Sequence, residues 1–468
     1  MTSTLVTKEA AASEGNMIAL DDGSQFGIVS KPTGIASIPP VLLAVIFEMT
    51  LSNSRVQHKI PFEVILSHVS SHWRAVAITT PALWTRINIY SARSDCTTNY
   101  LQRSGQMLLD IRVDIYNMDK RIRINSCNKR SALIQSIVKT LFPHIHRARS
   151  LLLLSCYERT ALTLLSHLHI SVAPYLERLR MIIGHTMEGP RIADFKVFSK
   201  GLPQLTFLET NLPDCMPLSL QKLTTLHLHM LTDTLDLSYQ HFVTMVTAPP
   251  SLRNLSIQGS LNVTNWPLHL NGPAFSLNNV KALRLPDNGL FAVKLLLAVS
   301  APDLESLCLG SSVDNYAHFF NSPQMAGPPK FPALKYLTLP TYDFSYNIQI
   351  PIAFPTITHL YLPFASFYHD VQFKTTFTMH WRHLEIFATA SIRQSQMTKF
   401  HAALCNILPF RAEAGYPIRQ LLVDEDLRNV LKKERPNVLR HVKVDVLSLE
   451  TYGEPWWIMS HEAHMDDP

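Results

Sequence analysis

Leucine-type residues recur along this chain at the first, fourth and sixth positions of a short phrase. With a proline two residues ahead, it reads Pro174…Leu176…Leu179…Met181, Pro203…Leu205…Leu208 and Pro250…Leu252…Leu255…Ile257. It continues as Pro302…Leu304…Leu307…Leu309, Pro332…Leu334…Leu337…Leu339 and Pro355…Ile357…Leu360…Leu362. Without the proline it returns at Leu223…Leu226…Leu228, Val280…Leu283…Leu285, Leu384…Phe387, Ile418…Leu421…Val423 and Leu439…Val442…Val444. The last two positions lie two residues apart. In an extended chain they share one face, and the residue between them takes the other. Each phrase therefore predicts a short strand, with the proline at its start because a residue without an N–H cannot sit inside the ladder. Between phrases the apolar spacing turns helical, at Phe291–Val299 and Lys399–Leu408. Asp424 to Arg435 has acids in its first turn and Lys432, Lys433 and Arg435 in its last, the order a helix dipole favours.

Successive phrases begin 18 to 34 residues apart. That period and consensus resemble the leucine-rich repeat in an irregular form. The expected fold is an α/β solenoid over 151–455, with a parallel sheet on its concave side. Ahead of it, 91–150 reads as a linker and first capping elements. Leu109-Asp-Ile-Arg-Val-Asp-Ile115 alternates like a half-buried strand. Ser131–Leu141 follows as a helix, with Leu133, Ile134, Ile137 and Leu141 on one side. Residues 1–35 and 456–468 are expected to be tails, the first of them polar, small and without a period.

Residues 36–90 read as a separate small all-α unit. Pro39 and Pro40 suit a helix start, and behind them Leu42, Leu43, Ile46 and Phe47 read as one face. A second helix is expected to carry Leu66, Val69 and Trp73 as a stripe. A unit this small covers only about 60 % of its surface by folding, so something else is expected to cover the rest. The residues resemble the F-box in the form common in mushroom-forming fungi. That form runs roughly LPPE-LL-x-IF, then a variable link, then V-x-x-x-WR-x-IA-x-x-TP-x-LW. This chain supplies Ile38-Pro39-Pro40, Leu42-Leu43, Ile46-Phe47, Val69, Trp73-Arg74, Val76-Ala77, Thr80-Pro81 and Leu83-Trp84. A further echo lies at Tyr100-Leu101, Arg103-Ser104-Gly105 and Leu109 to Val113. Val41 departs from the family's usual Glu, and Ser71-His72 replaces the common pair before the tryptophan.

The resemblance implies a substrate receptor of an SCF-type cullin–RING ubiquitin ligase. Pro39, Pro40, Leu42, Leu43, Ile46, Phe47, Leu66, Val69 and Trp73 would then face or support the Skp adaptor, and through it a cullin scaffold. Trp84 would join the helical unit to the solenoid. The repeats would bind the protein to be modified, and no residue of the chain would be catalytic. Two other classes stay open. One is a leucine-rich-repeat-like scaffold whose F-box has decayed. The other is an enzyme hidden in the repeats, which a deep polar pocket would support.

Composition narrows the choice. At 468 residues, with 46 % hydrophobic and 17 % charged residues, the chain has material for a large core. A formal net charge of +6 without a basic run gives no nucleic-acid footprint. No apolar stretch is long enough to span a membrane, and no secretory leader is evident at the amino terminus. Cys96, Cys127, Cys156, Cys215, Cys308 and Cys405 include no CxxC pair, which suits a reducing cytoplasmic or nuclear setting.

Phosphate loops, GxGxxG, GxSxG and HExxH are missing from the sequence, so no cofactor is expected. Asp424-Glu425-Asp426 reads as a helix start before it reads as paired catalytic acids. The pairs His144/His146, His167/His169, His227/His229 and His401/Cys405 each offer two metal ligands where zinc needs three or four. The concave-facing residues carry more promise. Arg178, Arg180, His227, Arg284, Tyr336, His359, Tyr361, His441 and Lys443 are basic or aromatic, with Glu209 a lone acid among them. Such a face suits an acidic or phosphorylated protein segment, because guanidinium pairs with those groups in two-point contacts. A solvated scaffold face is the plainer alternative.

Overall fold

All eleven phrases form strands of one sheet. In the computed structural model the described residues are 38–53, 60–89, 94–115, 127–155, 158–184, 196–217, 220–230, 238–259, 274–285, 289–310, 327–339, 341–343, 349–362, 364–366, 381–389, 394–434 and 440–447, with Trp266 and Phe319. The tails expected at 1–35 and 456–468 lie outside them. The chain divides into two compact units, 1–78 and 79–468.

The second unit is an α/β solenoid of leucine-rich-repeat type. Its sheet has 14 strands in chain order, all parallel. They are β1 (Arg86–Ile89), β2 (Leu109–Asp114), β3 (Ala148–Ser155), β4 (Arg178–Ile183), β5 (Phe207–Thr210), β6 (Thr225–Met230) and β7 (Asn254–Gly259). The rest are β8 (Ala282–Arg284), β9 (Ser306–Cys308), β10 (Tyr336–Thr338), β11 (His359–Leu362), β12 (Ile386–Thr389), β13 (Gln420–Val423) and β14 (Lys443–Val446). The fourth phrase position makes a continuous spine. Leu179, Leu208, Leu226, Leu255, Leu283, Leu307, Leu337, Leu360, Phe387 and Leu421 are register neighbours, and all are buried. One strand alone cannot cover its leucine. The stack covers them all.

The prolines act earlier than expected. Leu176, Leu205, Leu252, Leu304 and Leu334 each donate an N–H at 3.2 Å to the carbonyl three residues back, at Ala173, Leu202, Pro249, Ala301 and Phe331. Pro174, Pro203, Pro250, Pro302 and Pro332 thus occupy the second position of a turn, where a fixed φ is an advantage. The residue before each proline is an extra core position. Ala173, Leu202, Ala301, Phe331 and Phe354 fill it, and Trp381 does so in a repeat without the proline. Trp381 also ties two repeats together, its indole N–H donating to the Phe354 carbonyl at 3.2 Å.

The helices follow their sequence signals. Cys127–Leu141 buries Leu133, Ile134, Ile137 and Leu141. Gly289–Ala298, Gln394–Glu413 and Glu425–Glu434 span the other expected segments. Asp424 starts the last of these, its Oδ1 accepting the Leu427 N–H at 2.7 Å.

Three expectations are corrected. The sheet begins at Arg86, so 91–150 supplies β2 and the start of β3 and is not simply linker and cap. The last phrase is shifted by two residues: Val444 pairs with Leu421 and Val446 with Val423. Valines at 442, 444 and 446 share one face, so their spacing alone cannot set the register. The stripe Leu66, Val69 and Trp73 does not belong to one helix. Phe62–Val69 and Ser71–Thr79 are separate, broken at the extended residue Ser70. The Ser70 hydroxyl accepts the Trp73 N–H at 3.1 Å and so starts the following helix.

Trp84 lies within the second unit, at the end of the 3-10 turn Pro81–Trp84. Its ring meets Tyr100 edge-on at 4.9 Å between centroids, and the Arg103 guanidinium sits 4.3 Å from its face. A ring this buried caps the first strand from inside. Trp84→Ala is expected to cost about 3–5 kcal/mol, read as a lower urea midpoint. A loss below about 1 kcal/mol would mean that the ring is not part of that core.

Candidate functional site

The first unit offers an apolar surface. The helix Pro40–Asn53, PVLLAVIFEMTLSN, is apolar nearly all round, which a surface helix ordinarily is not. Leu43 and Phe47 point inward, each 1 % exposed, and Phe47 packs against Trp73 with centroids 5.0 Å apart. Leu66 is buried too. Leu42 and Ile46 do not share that face. They stand beside Val41, Val45 and Met49 on the outer side, with Leu42 at 57 % and Ile46 at 45 % exposure. The physical reason is the 100° step per residue, which sets the 42/46 and 43/47 pairs on adjacent stripes. Val69 and Ile65 of the next helix are also exposed. Pro39 and Pro40 lie open, and Trp73 is half-buried. The nine residues singled out thus divide into an inner set (Leu43, Phe47, Leu66, with Trp73 against them) and an outer set (Pro39, Pro40, Leu42, Ile46, Val69).

The second unit offers the sheet face opposite its leucine spine. Arg178, Tyr336, His359 and Lys443 lie in one row across the strands, and Arg180, His227, Arg284 and Tyr361 in the next. His441 falls instead on the turn leading into β14.

Most of the basic residues there are already neutralised. Asp110 takes Arg149 at 2.6 Å and Arg178 at 3.6 Å, and Asp114 takes Arg112 at 3.3 Å. Asp445 pairs with Lys443 at 2.7 Å and accepts the Gln420 amide at 2.7 Å. Glu209 is therefore not a lone acid. It is 4 % exposed and accepts a two-point contact from Arg180, through Nε and through NH2 at 3.3 Å. His229 also reaches it, with Nε2 2.8 Å from Oε1. A carboxylate only accepts, so the imidazole proton sits on Nε2. Burial disfavours charge on Glu209. The His229 hydrogen bond and the Arg180 charge outweigh it and hold the carboxyl at about 2, below its ordinary 4.5. Burial foremost lowers His227 to about 4, so that imidazole is neutral near pH 7. Its ring packs edge-on against Phe207 at 5.1 Å, and Tyr336 meets His359 at 4.3 Å.

The middle of the face differs. Small side chains occupy β7 to β10 there: Ser256, Ala282, Ser306, Cys308 and Thr338, all buried. The hydroxyls of Ser256, Ser306 and Thr338 and the NH1 of Arg284 are out of contact with water and have no hydrogen-bond partner. Sequence reasoning singled out Arg284 and passed over the three hydroxyls, because serine and threonine in a strand carry no distinguishing signal.

Among the described residues no group of three His, Cys, Asp or Glu is arranged to hold a metal ion. None of the described helices is long and apolar enough to cross a membrane. The sequence matches no family model, and no curated protein stands out as a relative of it.

Proposed function

We propose that this chain is the substrate receptor of an SCF-type cullin–RING ubiquitin ligase. Its first unit docks on the Skp adaptor, and through it on a cullin scaffold. The open face of its sheet holds the protein to be modified. One observation carries the reading: the helix Pro40–Asn53 keeps a second apolar side, Val41, Leu42, Val45, Ile46 and Met49, that the described residues of its own unit leave exposed. An exposed apolar surface of this kind marks an interaction site. The F-box pattern supplies the adaptor as its partner. Catalysis is by proximity: a held target presents its lysines to the conjugating enzyme at high effective concentration, and the chain has no catalytic residue of its own.

A leucine-rich-repeat-like scaffold with a decayed F-box is the second reading, favoured by Val41 in place of the family's Glu and by Ser71-His72. Co-purification separates the two. The receptor brings down the Skp adaptor, and loses it when Leu42 and Ile46 become aspartate. A scaffold brings down other proteins and no adaptor from the start.

A further inference from the structure

Buried polar side chains are almost always paired, so each orphan calls for an explanation. Here four orphans are neighbours. Ser256 on β7 is the register partner of Arg284 on β8, and Arg284 is the partner of Cys308 on β9. Thr338 on β10 is the partner of Cys308, and Ser306 stands two residues before it on the same face of β9. With strands about 4.8 Å apart, the Ser256 and Thr338 backbones lie about 5 Å and 10 Å from that of Arg284. All three hydroxyls are at least nine-tenths buried, Ser256 at 0 %, Thr338 at 3 % and Ser306 at 7 % exposure. Elsewhere on the face Glu209, Asp110 and Asp445 have cations or amides on them. In the middle no carboxylate among the described residues pairs with Arg284.

We propose that this band is a binding site for a phosphate-type oxyanion, with the Arg284 guanidinium and the Ser256, Ser306 and Thr338 hydroxyls as its donors. The guanidinium has only hydrogens to give and each hydroxyl has one, so together they suit a ligand made of acceptors. A carboxylate has two oxygens for donors spread over four strands, whereas a phosphate monoester presents three. The stem of Arg284 and the three hydroxyls reach the anion by side-chain rotation, with no change in the sheet. The flanking rings of Phe207 and His227 on one side, and of Tyr336 and His359 on the other, give the rest of a phosphorylated segment flat surfaces to lie against. Only the carrier, a phosphorylated target protein, rests on the receptor reading. The anion site stands on the four donors.

The test follows thermal unfolding of the full chain as inorganic phosphate replaces chloride at constant ionic strength, with phenyl phosphate and acetate as parallel probes. Phosphate and phenyl phosphate are expected to raise the midpoint with the logarithm of their concentration above Kd, by about 2 °C at tenfold excess, and acetate far less. Arg284→Gln should abolish the rise, and Arg284→Lys, which keeps the charge without the fork, should weaken it. Thr338→Val should raise the phosphate-free midpoint by about 1 °C, because an unpaired hydroxyl is gone, yet bind phosphate less tightly. A rise that survives Arg284→Gln, or no rise with phosphate in the parent, overturns the site. An equal rise with acetate overturns phosphate as its ligand. Adaptor capture by Arg284→Gln should equal the parent's. A parent that binds phosphate and captures no adaptor removes the receptor reading and leaves the anion site standing.

Discussion

Leu42→Asp with Ile46→Asp is expected to weaken adaptor binding by about 100-fold or more while the chain stays folded. About half of each side chain stands in water in the free chain, so aspartates there cost the fold little. Docking would change that balance. Burying the exposed half of each aliphatic side chain is worth about 1 kcal/mol, and an unpaired carboxylate in its place must shed water against an apolar partner. Together these exceed about 3 kcal/mol, which is the factor named. Leu43 and Phe47 provide the contrast. At 1 % exposure they are core, and Leu43→Ala should cost about 2–5 kcal/mol of stability, so a loss of capture there would report unfolding. Titration with purified Skp adaptor, alongside circular dichroism, separates these outcomes. Capture undiminished in the double aspartate variant would remove the adaptor surface from the outer side of this helix.

Glu209→Ala is expected to destabilise the solenoid by about 3–5 kcal/mol, the cost of leaving partners of a buried charge without it. Arg180 keeps some access to water, at 36 % exposure, which favours the lower end, while His229, at 6 %, loses the carboxylate that accepts its Nε2 proton. The parent should also show the pairing in its pH dependence. A carboxyl held at about 2 when folded and 4.5 when free contributes about 3 kcal/mol above pH 4.5. That contribution is lost as pH falls from about 4.5 to about 2, since the unfolded chain binds the proton first. Glu209→Gln keeps the volume and should flatten this acid limb. Urea midpoints measured across pH 2–7 read both effects, and an acid limb identical in parent and Gln variant would mean that Glu209 is not the group responsible.

The spine of the sheet was legible because position four of each phrase is nearly invariant: Leu179 through Leu421 are leucine in every repeat but one, where Phe387 stands. The position before the proline was not. It varies from Ala173 to Trp381, so no single letter marks it. β3 was obscured for another reason. Leu151 to Leu154 are four leucines in a row, and a strand apolar on both faces loses its period of two. On the open face the residue types were readable and their pairing was not. Asp110 meets Arg149 across 39 residues and Arg180 meets Glu209 across 29, each partner supplied by the next strand. A count of basic residues therefore overstated the charge available to a ligand. It also hid where that charge remains, at Arg284.

A stack whose members bond only to the one before and the one after has no internal rule for how many there should be. Among the described residues the stack runs from one four-residue strand, Arg86–Ile89, to another, Lys443–Val446. An open strand edge is a template on which a foreign strand, or a second molecule's edge, continues the pattern indefinitely. Strands of only four residues at both ends of the described sheet make that continuation unfavourable.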